Sequence, residues 1–406
     1  MQRWIIGLAS GTSADGVDAA LLAVRGVGLE MRLEKLQALH QPLSPELREM
    51  VRRLDGAGGC EPRQIGRLHR LLGETFAAAA RSVADAAGLA LSRVQVVGCA
   101  GHTAGLEIEG RFPGLLSLGM PAVIAERTGV TVVSDYRARD LAAGGQGVPL
   151  GALPDHILYR HPTEGRLMLH LGGIARVVYL PPACRLHEVT GFEAGPCNIL
   201  LDTLVRHLTG GREGYDPGGK HAVQGRCLEP LLQSWLAHPS LQRRPPRSLP
   251  RQAFGEEFTH RALEQLQAHQ GSLHDLLCTA THFVARSISA SLRRYLPASV
   301  RLDRVFLSGG GVRNGFLLHL LQQQFSSVPF GKTDDLGVPA EQRKAVSHGL
   351  LAALTLDGVP GNAPSATGAA ASRLLGSLTP GSSANWARCL HWMAQQVGPV
   401  AAQVGV

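Results

Sequence analysis

The sequence has little that would mark a zinc, redox, nucleic-acid or membrane protein. Its seven cysteines, at positions 60, 99, 184, 197, 227, 278 and 389, are odd in number, widely spaced and without a Cys-x-x-Cys pair. That spacing excludes the usual zinc and dithiol arrangements and points to a reduced, cytoplasmic chain. Aromatic residues make up only 5% of the chain, and no basic block is interleaved with them. The formal charge of +8 therefore describes a basic surface suited to a small polyanion, not a nucleic-acid stripe. No apolar run approaches membrane-spanning length, and the opening MQRWIIGLAS lacks the basic and long apolar regions of a signal peptide. Neither insertion nor export is expected.

What the chain does have is glycine, 49 in 406 residues, and enough length for two cores with a ligand cleft between them. The glycines punctuate strands. WIIGLAS, GTSADG and VDAALLAV read as strand, turn and strand. Such a turn is either an ordinary hairpin loop or one whose amides, hydroxyls and carboxylates meet a polyanion and its hydrated divalent cation. SPELREMVRRLDG and CEPRQIGRLHRLLGETFAAAARSVADAAG have helical spacing, and VQVVGCAG reads as a buried strand. MPAVIAERTGVTVVSDYRARDLAAGGQGVPL reads as a helix, a strand and a loop carrying Arg137, Arg139 and Asp140.

The plan then repeats. RLMLHLGGIARVVYLP is a second glycine-bearing hairpin, and GFEAGPCNILLDTLVRHLTG is a turn leading into a helix. RRPPRSLPRQA reads as an ordered basic loop, and VRLDRVFLSGGGVRNGFLLHLLQQQF as a strand, a triple-glycine turn and a helix. Bare amides in that turn can meet a ligand closely. From about Pro360 the composition suggests a loose tail with one short helix. Two α/β units, each opening on a glycine-bearing hairpin, are what a nucleotide clamp built like actin requires.

Taken together, SGTSADGVD, DYRARDLAAGGQGVPL, LGGIA, SGGGVRN, GVPAEQRKA, APSATGA and LGSLTPG resemble, in order and from Ile6 to about Gly381, the 1,6-anhydro-N-acetylmuramic acid kinase family of peptidoglycan-recycling enzymes. The resemblance implies an α/β fold of two actin-like (ribonuclease H-like) domains flanking a nucleotide cleft. The domains are expected at 1–133 and 134–372, with a C-terminal tail at 373–406. It implies a cytoplasmic kinase using ATP and Mg2+, which opens the anhydro ring of 1,6-anhydro-N-acetylmuramic acid and phosphorylates its 6-oxygen. The partner is then a small-molecule anhydrosugar, with no nucleic acid and no membrane, and a homodimer is the assembly the family suggests.

By the same resemblance, Gly11, Thr12, Ser13, Ala14, Asp15, Gly16, Val17 and Asp18 form the first phosphate turn, with Asp15 or Asp18 on magnesium. Gly172 and Gly173 close the other side, and Gly309, Gly310 and Gly311 border the nucleoside. Arg137, Asp140 and Gln146 position sugar or phosphate, and His102 and Lys344 also face the substrate. The family's base, the Asp of a Gly-Phe-Asp-Thr-Gly-Pro segment, corresponds to Glu193 in GFEAGP. One extra methylene displaces the charge by about 1 Å, a misplacement that can cost about a hundredfold.

Other departures accompany it. The family's Ser-His-Gly-Gln-Thr loop is CAGHT here, with Ala100 and His102 at its His and Gln positions. Met120 stands for an Asp, His170 and Arg176 for the asparagines flanking the second hairpin, and Lys344 for an acid. These changes fall more on sugar-facing loops than on the nucleotide turn. The alternatives to the family reaction are therefore a nucleotide-binding clamp with weakened or lost activity, and a kinase for another anhydrosugar.

Overall fold

A computed structural model describes residues 2–11, 15–55, 60–108, 113–297 and 299–404. Thirteen strands run along these residues: β1 (Gln2–Ser10), β2 (Gly16–Arg25), β3 (Arg32–Pro42), β4 (Val94–Cys99), β5 (His102–Glu107), β6 (Gly114–Leu118), β7 (Thr131–Ser134), β8 (Arg166–Leu171), β9 (Ile174–Leu180), β10 (Thr190–Pro196), β11 (Arg304–Ser308), β12 (Phe330–Lys332) and β13 (Ser377–Thr379). The chain divides into two compact units, one made of residues 1–159 and 341–406 and the other of 160–340.

In the first unit the strand order is β3-β2-β1-β4-β7-β13. Strands β1, β2 and β3 form an antiparallel meander, β4 and β7 add parallel to β1, and β13 closes the edge antiparallel to β7. The last six residues of β1 are buried because helices cover both faces. On one face lies the helix Pro62–Ala86, opened by Pro62 at its first position, where the missing N–H costs nothing. Its Leu68, Leu72, Phe76 and Val83 pack with Ile6, Leu8, Val17 and Leu21 in one apolar cluster, each buried aliphatic contributing about 1.5–3 kcal/mol. On the other face lies the helix Arg343–Leu356. It comes so close that a Cβ on Gly7 would collide with the Ala345 carbonyl.

The second unit has the order β10-β9-β8-β11-β12, again an antiparallel meander followed by two parallel strands. Both units therefore carry the same 3-2-1-4-5 arrangement, the actin-like plan that the two hairpins imply. The core of the second unit joins Leu167, Leu169, Val177 and Phe192 of the sheet to Phe254, Phe283 and Ile288 of its helices. The helix Leu273–Tyr295 starts with a capping box, in which the Ser272 N–H donates to Asp275 at 2.9 Å and the Asp275 N–H to Ser272 at 3.1 Å.

Three expectations change. The boundaries drawn at 133 and 372 differ from the units, because the helices Ala152–Tyr159 and Arg343–Leu356 belong with the first sheet. The segment from Pro360 is not a loose tail: β13 pairs with β7, and the helix Ser383–Val404 follows. That helix is pinned by Asn385, 3% exposed, which accepts from the Thr131 N–H at 2.7 Å and donates to the Val94 and Gln95 carbonyls at 3.1 Å. Lastly, GFEAGP is an edge strand, β10, and not a turn, while Arg137, Arg139 and Asp140 sit on the helix Tyr136–Ala142 and not in a loop. Among the described residues, no helix is long and apolar enough to cross a membrane.

Candidate active site

The first unit carries the opening turn. Antiparallel pairing of β1 with β2 runs up to Ser10 opposite Val17, the hairpin that the alternation of apolar runs and glycine predicts. Thr12, Ser13 and Ala14 lie outside the described residues. Gly11 is half-buried, and Gly16 and Val17 are buried at the start of β2. Asp15 is exposed and its carbonyl accepts from the Leu43 N–H at 2.9 Å, anchoring the turn to the end of β3. Asp18 faces His40 directly across β2 and β3, with 2.8 Å between Oδ1 and Nδ1.

Ser10, at the mouth of this turn, is 3% exposed and engaged twice. Its hydroxyl lies 3.1 Å from Nδ1 of His102, and its carbonyl accepts from Lys344 Nζ at 2.7 Å. His102 is 2% exposed and meets the end of β1 through this contact. Lys344 brings its ammonium to the same strand end, beside the turn.

Asp140 is fully buried, with Oδ2 accepting from the Gly147 N–H at 2.8 Å and Oδ1 accepting from Asn362 and Thr367, each at 2.8 Å. Both oxygens hold the loop that ends at Gly147 to Asn362 and Thr367. Arg137 and Gln146 stay half-buried beside it, and the Gln146 N–H is tied to the Thr367 carbonyl at 2.8 Å. Sequence reasoning missed Asp135, which ends β7 in the left-handed conformation at φ 56°. A strained residue at the carboxyl end of a parallel strand is a mark of a site, and burial raises its carboxyl above the ordinary range.

The second unit gathers the remaining glycine turns. Gly172 and Gly173 join β8 to β9, and their carbonyls accept from the N–H groups of Asn198 and Cys197 at 3.0 Å, capping the helix Asn198–Thr209. Asn198 Nδ2 donates to the Leu171 carbonyl at 3.2 Å, and His170 lies 3.1 Å from the Ser308 hydroxyl at the end of β11. Gly309 follows at φ 85°, where a Cβ would come within 2.7 Å of the Leu171 carbonyl. Gly310 and Gly311 continue the turn against Asn198 and Leu171. The second hairpin, the triple glycine and a helix start thus meet at one edge of one sheet. Cys197 is fully buried there, and burial pushes its thiol well above the ordinary range, so it is not a reactive thiol.

Glu193 stands on β10 opposite Arg176 of β9, just before a register shift in the pairing. It is 3% exposed. Arg176 Nε donates to Oε1 at 2.9 Å and the Leu249 N–H donates to Oε2 at 2.7 Å. Behind it, Arg247, 2% exposed, donates to the carbonyls of Glu193 at 2.9 Å and Ala194 at 3.2 Å, while its own carbonyl accepts from the Glu193 N–H at 3.1 Å. The basic loop RRPPRSLPRQA is therefore a strap along β10. Neither Arg247 nor Leu249 is marked in the sequence, where the run reads only as basic and proline-rich.

Comparison with known proteins decides the family. Residues 3–381 match the family described as anhydro-N-acetylmuramic acid kinase. The chain belongs to the anhydro-N-acetylmuramic acid kinase family. It is 35% identical over 380 residues to a Cyanothece protein of that name, covering 92% of this chain and 98% of the other. A Salinibacter ruber protein of the same name is 36% identical over 388 residues, covering 93% and 96%. Among solved structures, the activator of the 2-hydroxyisocaproyl-CoA dehydratase from Clostridium difficile with bound ADPNP aligns at a TM-score of 0.41 and 11% identity, covering 86% of this chain and 94% of that one.

Proposed function

We propose that the chain transfers the terminal phosphoryl group of ATP to the 6-oxygen of 1,6-anhydro-N-acetylmuramic acid while water opens the anhydro bridge, giving N-acetylmuramic acid 6-phosphate and ADP. This is the sugar-kinase step of peptidoglycan recycling. The observation that carries the reading is a buried carboxylate, Glu193 of β10, held at two points, to which we assign the role of base. Glu193 accepts a proton from water as the water oxygen bonds to the anomeric carbon. The bond from that carbon to the 6-oxygen breaks, the 6-oxygen bonds to phosphorus, and the bridging oxygen leaves with ADP. The proton released overall rests first on Glu193.

The other residues divide the remaining work. In the first unit the turn Gly11–Asp18 is assigned to phosphate; in the second, Gly172 and Gly173 are likewise assigned to phosphate and Gly309 to Gly311 to the nucleoside. Lys344, already at the mouth of the first turn, adds positive charge where the transferred group develops negative charge. Arg137 and Gln146 contact the sugar.

Among the described residues, no three metal-binding side chains group together. That donor set fits a magnesium ion carried by the nucleotide, which needs only one or two protein carboxylates, here Asp15 or Asp18. Bound there, it neutralises phosphate oxygens. The cytoplasm is the proposed compartment, in accord with the absence of disulfides among seven free cysteines, and a homodimer is the proposed assembly.

The test is ADP release with magnesium ATP and the anhydro-sugar, for the native chain, Glu193→Gln and Glu193→Asp. Turnover that Glu193→Gln lowers by about 10²–10⁴-fold is expected. A native chain without turnover on this sugar, or a Gln variant as fast as native, overturns the reading; a panel of neutral anhydrosugars identifies a different acceptor.

A further inference from the structure

The carboxylate of Glu193 is held at two points. Its two oxygens accept from two different donors, the Arg176 guanidinium on one and the Leu249 N–H on the other. That arrangement fixes both the position and the plane of the group, and each oxygen keeps a lone pair for a further proton. A glutamate needs such fixing. Its longer stem has one more rotatable bond than an aspartate, and a base misplaced by 1 Å loses about a hundredfold.

The strand register makes the pair obligatory. Arg176 and Glu193 are direct cross-strand partners in β9 and β10, and Arg176 follows the Gly172–Gly173 turn by only two residues. Arg247 clamps the Glu193 backbone from behind, so the side chain cannot relax by moving the strand. A buried ion pair need not stabilise a fold, since desolvation offsets the attraction, so its presence at this carboxylate asks for another reason.

We propose that Arg176 is a positioning residue for the reaction, holding the Glu193 carboxylate with the Leu249 N–H where it accepts the proton of water, so that the two residues act as one unit. This rests on the reading of Glu193 as the base. Without Arg176 the carboxylate loses one of its two anchors and swings, and with aspartate at 193 the shortened stem reaches neither donor well.

The experiment is a mutant cycle on the full-length chain: native, Arg176→Gln, Glu193→Asp and the double variant, with Arg176→Lys beside them. For each, kcat and the KM values for ATP and for the anhydro-sugar are measured, with the melting temperature as a check on folding. Arg176→Gln is expected to lower kcat by about ten- to a hundredfold with the KM for ATP unchanged. Arg176→Lys is expected to recover part of that loss, since it keeps the charge but not the planar fork. The double variant is expected to be no slower than the slower single one, the non-additivity of residues acting as a unit.

Native kcat in Arg176→Gln, or losses that simply multiply in the double variant, overturn the inference while leaving the kinase reading intact. If Arg176→Gln fails to fold, Arg176→Lys decides: a kcat about three- to tenfold below native at unchanged KM for ATP supports the inference, and a native kcat overturns it. A native chain with no turnover overturns the base reading, and this inference with it.

Discussion

The two sheets carry a charged pair at the same place and with opposite polarity. In the first, the third residue of β2, Asp18, faces His40 of β3; in the second, the third residue of β9, Arg176, faces Glu193 of β10. The pairs differ in burial. Side-chain exposure is 21% and 37% for Asp18 and His40, against 22% and 4% for Arg176 and Glu193. Repeated topology thus supplies two equivalent positions beside two glycine turns, and the surroundings make them unlike. The acid near the first turn stays partly open to water, whereas the acid near the second is enclosed by the strap that carries Arg247 and Leu249.

Removing that strap should have the largest effect. Arg247→Met leaves the carbonyls of Leu241, Glu193 and Ala194 without their guanidinium donor, and a loss of at least about 3 kcal/mol is expected in denaturant unfolding. If stability stays near native, the enclosure of β10 does not depend on the strap, and the contrast between the two acids needs another cause. Next is Gly309→Ala, where φ 85° and the Leu171 carbonyl at 2.7 Å oppose any side chain. About 1–3 kcal/mol should be lost, together with weaker nucleotide binding by calorimetry. The corresponding weakening from Gly11→Ala should be smaller, since Gly11 is only half-buried.

The first unit has its own enclosed acid, and it tests whether burial alone sets behaviour. Asp155 is fully buried and paired with Arg343; burial outweighs the guanidinium and raises the carboxyl to about 6. A carboxyl raised on folding favours the native state most below its unfolded value near 3.8, and that contribution is lost as pH rises through about 4 to 6. Relative to Asp155→Asn, native stability should therefore fall over this window; a flat difference in melting temperature between pH 4 and 7 would remove the effect. The smallest change is expected for His40→Ala, which breaks the exposed pair of the first sheet. It should cost at most about 1 kcal/mol, and a larger loss in thermal unfolding would mean that the two pairs are alike after all.

Local punctuation made much of the fold legible. Both hairpins, the strand before the triple glycine and the long helices announce themselves through glycine at turns and apolar spacing at 3.6 residues. What stayed hidden needed partners distant in sequence. GFEAGP carries glycine and proline and reads as a turn, yet it is a strand because β9 offers it an edge. The segment after Pro360 reads as loose because Asn385 finds its partners at Val94, Gln95 and Thr131, more than 250 residues earlier. At the site, the glycine turns and Glu193 were visible as motifs. The partners of Asp140 and His102 were not, since an acid looks the same in sequence whether its oxygens face solvent or Asn362 and Thr367.

The first unit is assembled from both ends of the chain, residues 1–159 and 341–406, while the second is one uninterrupted segment between them. During synthesis the ribosome therefore delivers β1, β2 and β4 early but withholds the helix Arg343–Leu356 that covers them until the whole inserted segment has emerged. The apolar face of the first sheet waits uncovered for some 180 residues, long enough at about 5–20 residues per second to be a client of chaperones. The half of the molecule made first is thus the half completed last, and the segment bearing Glu193 has the opportunity to fold before it.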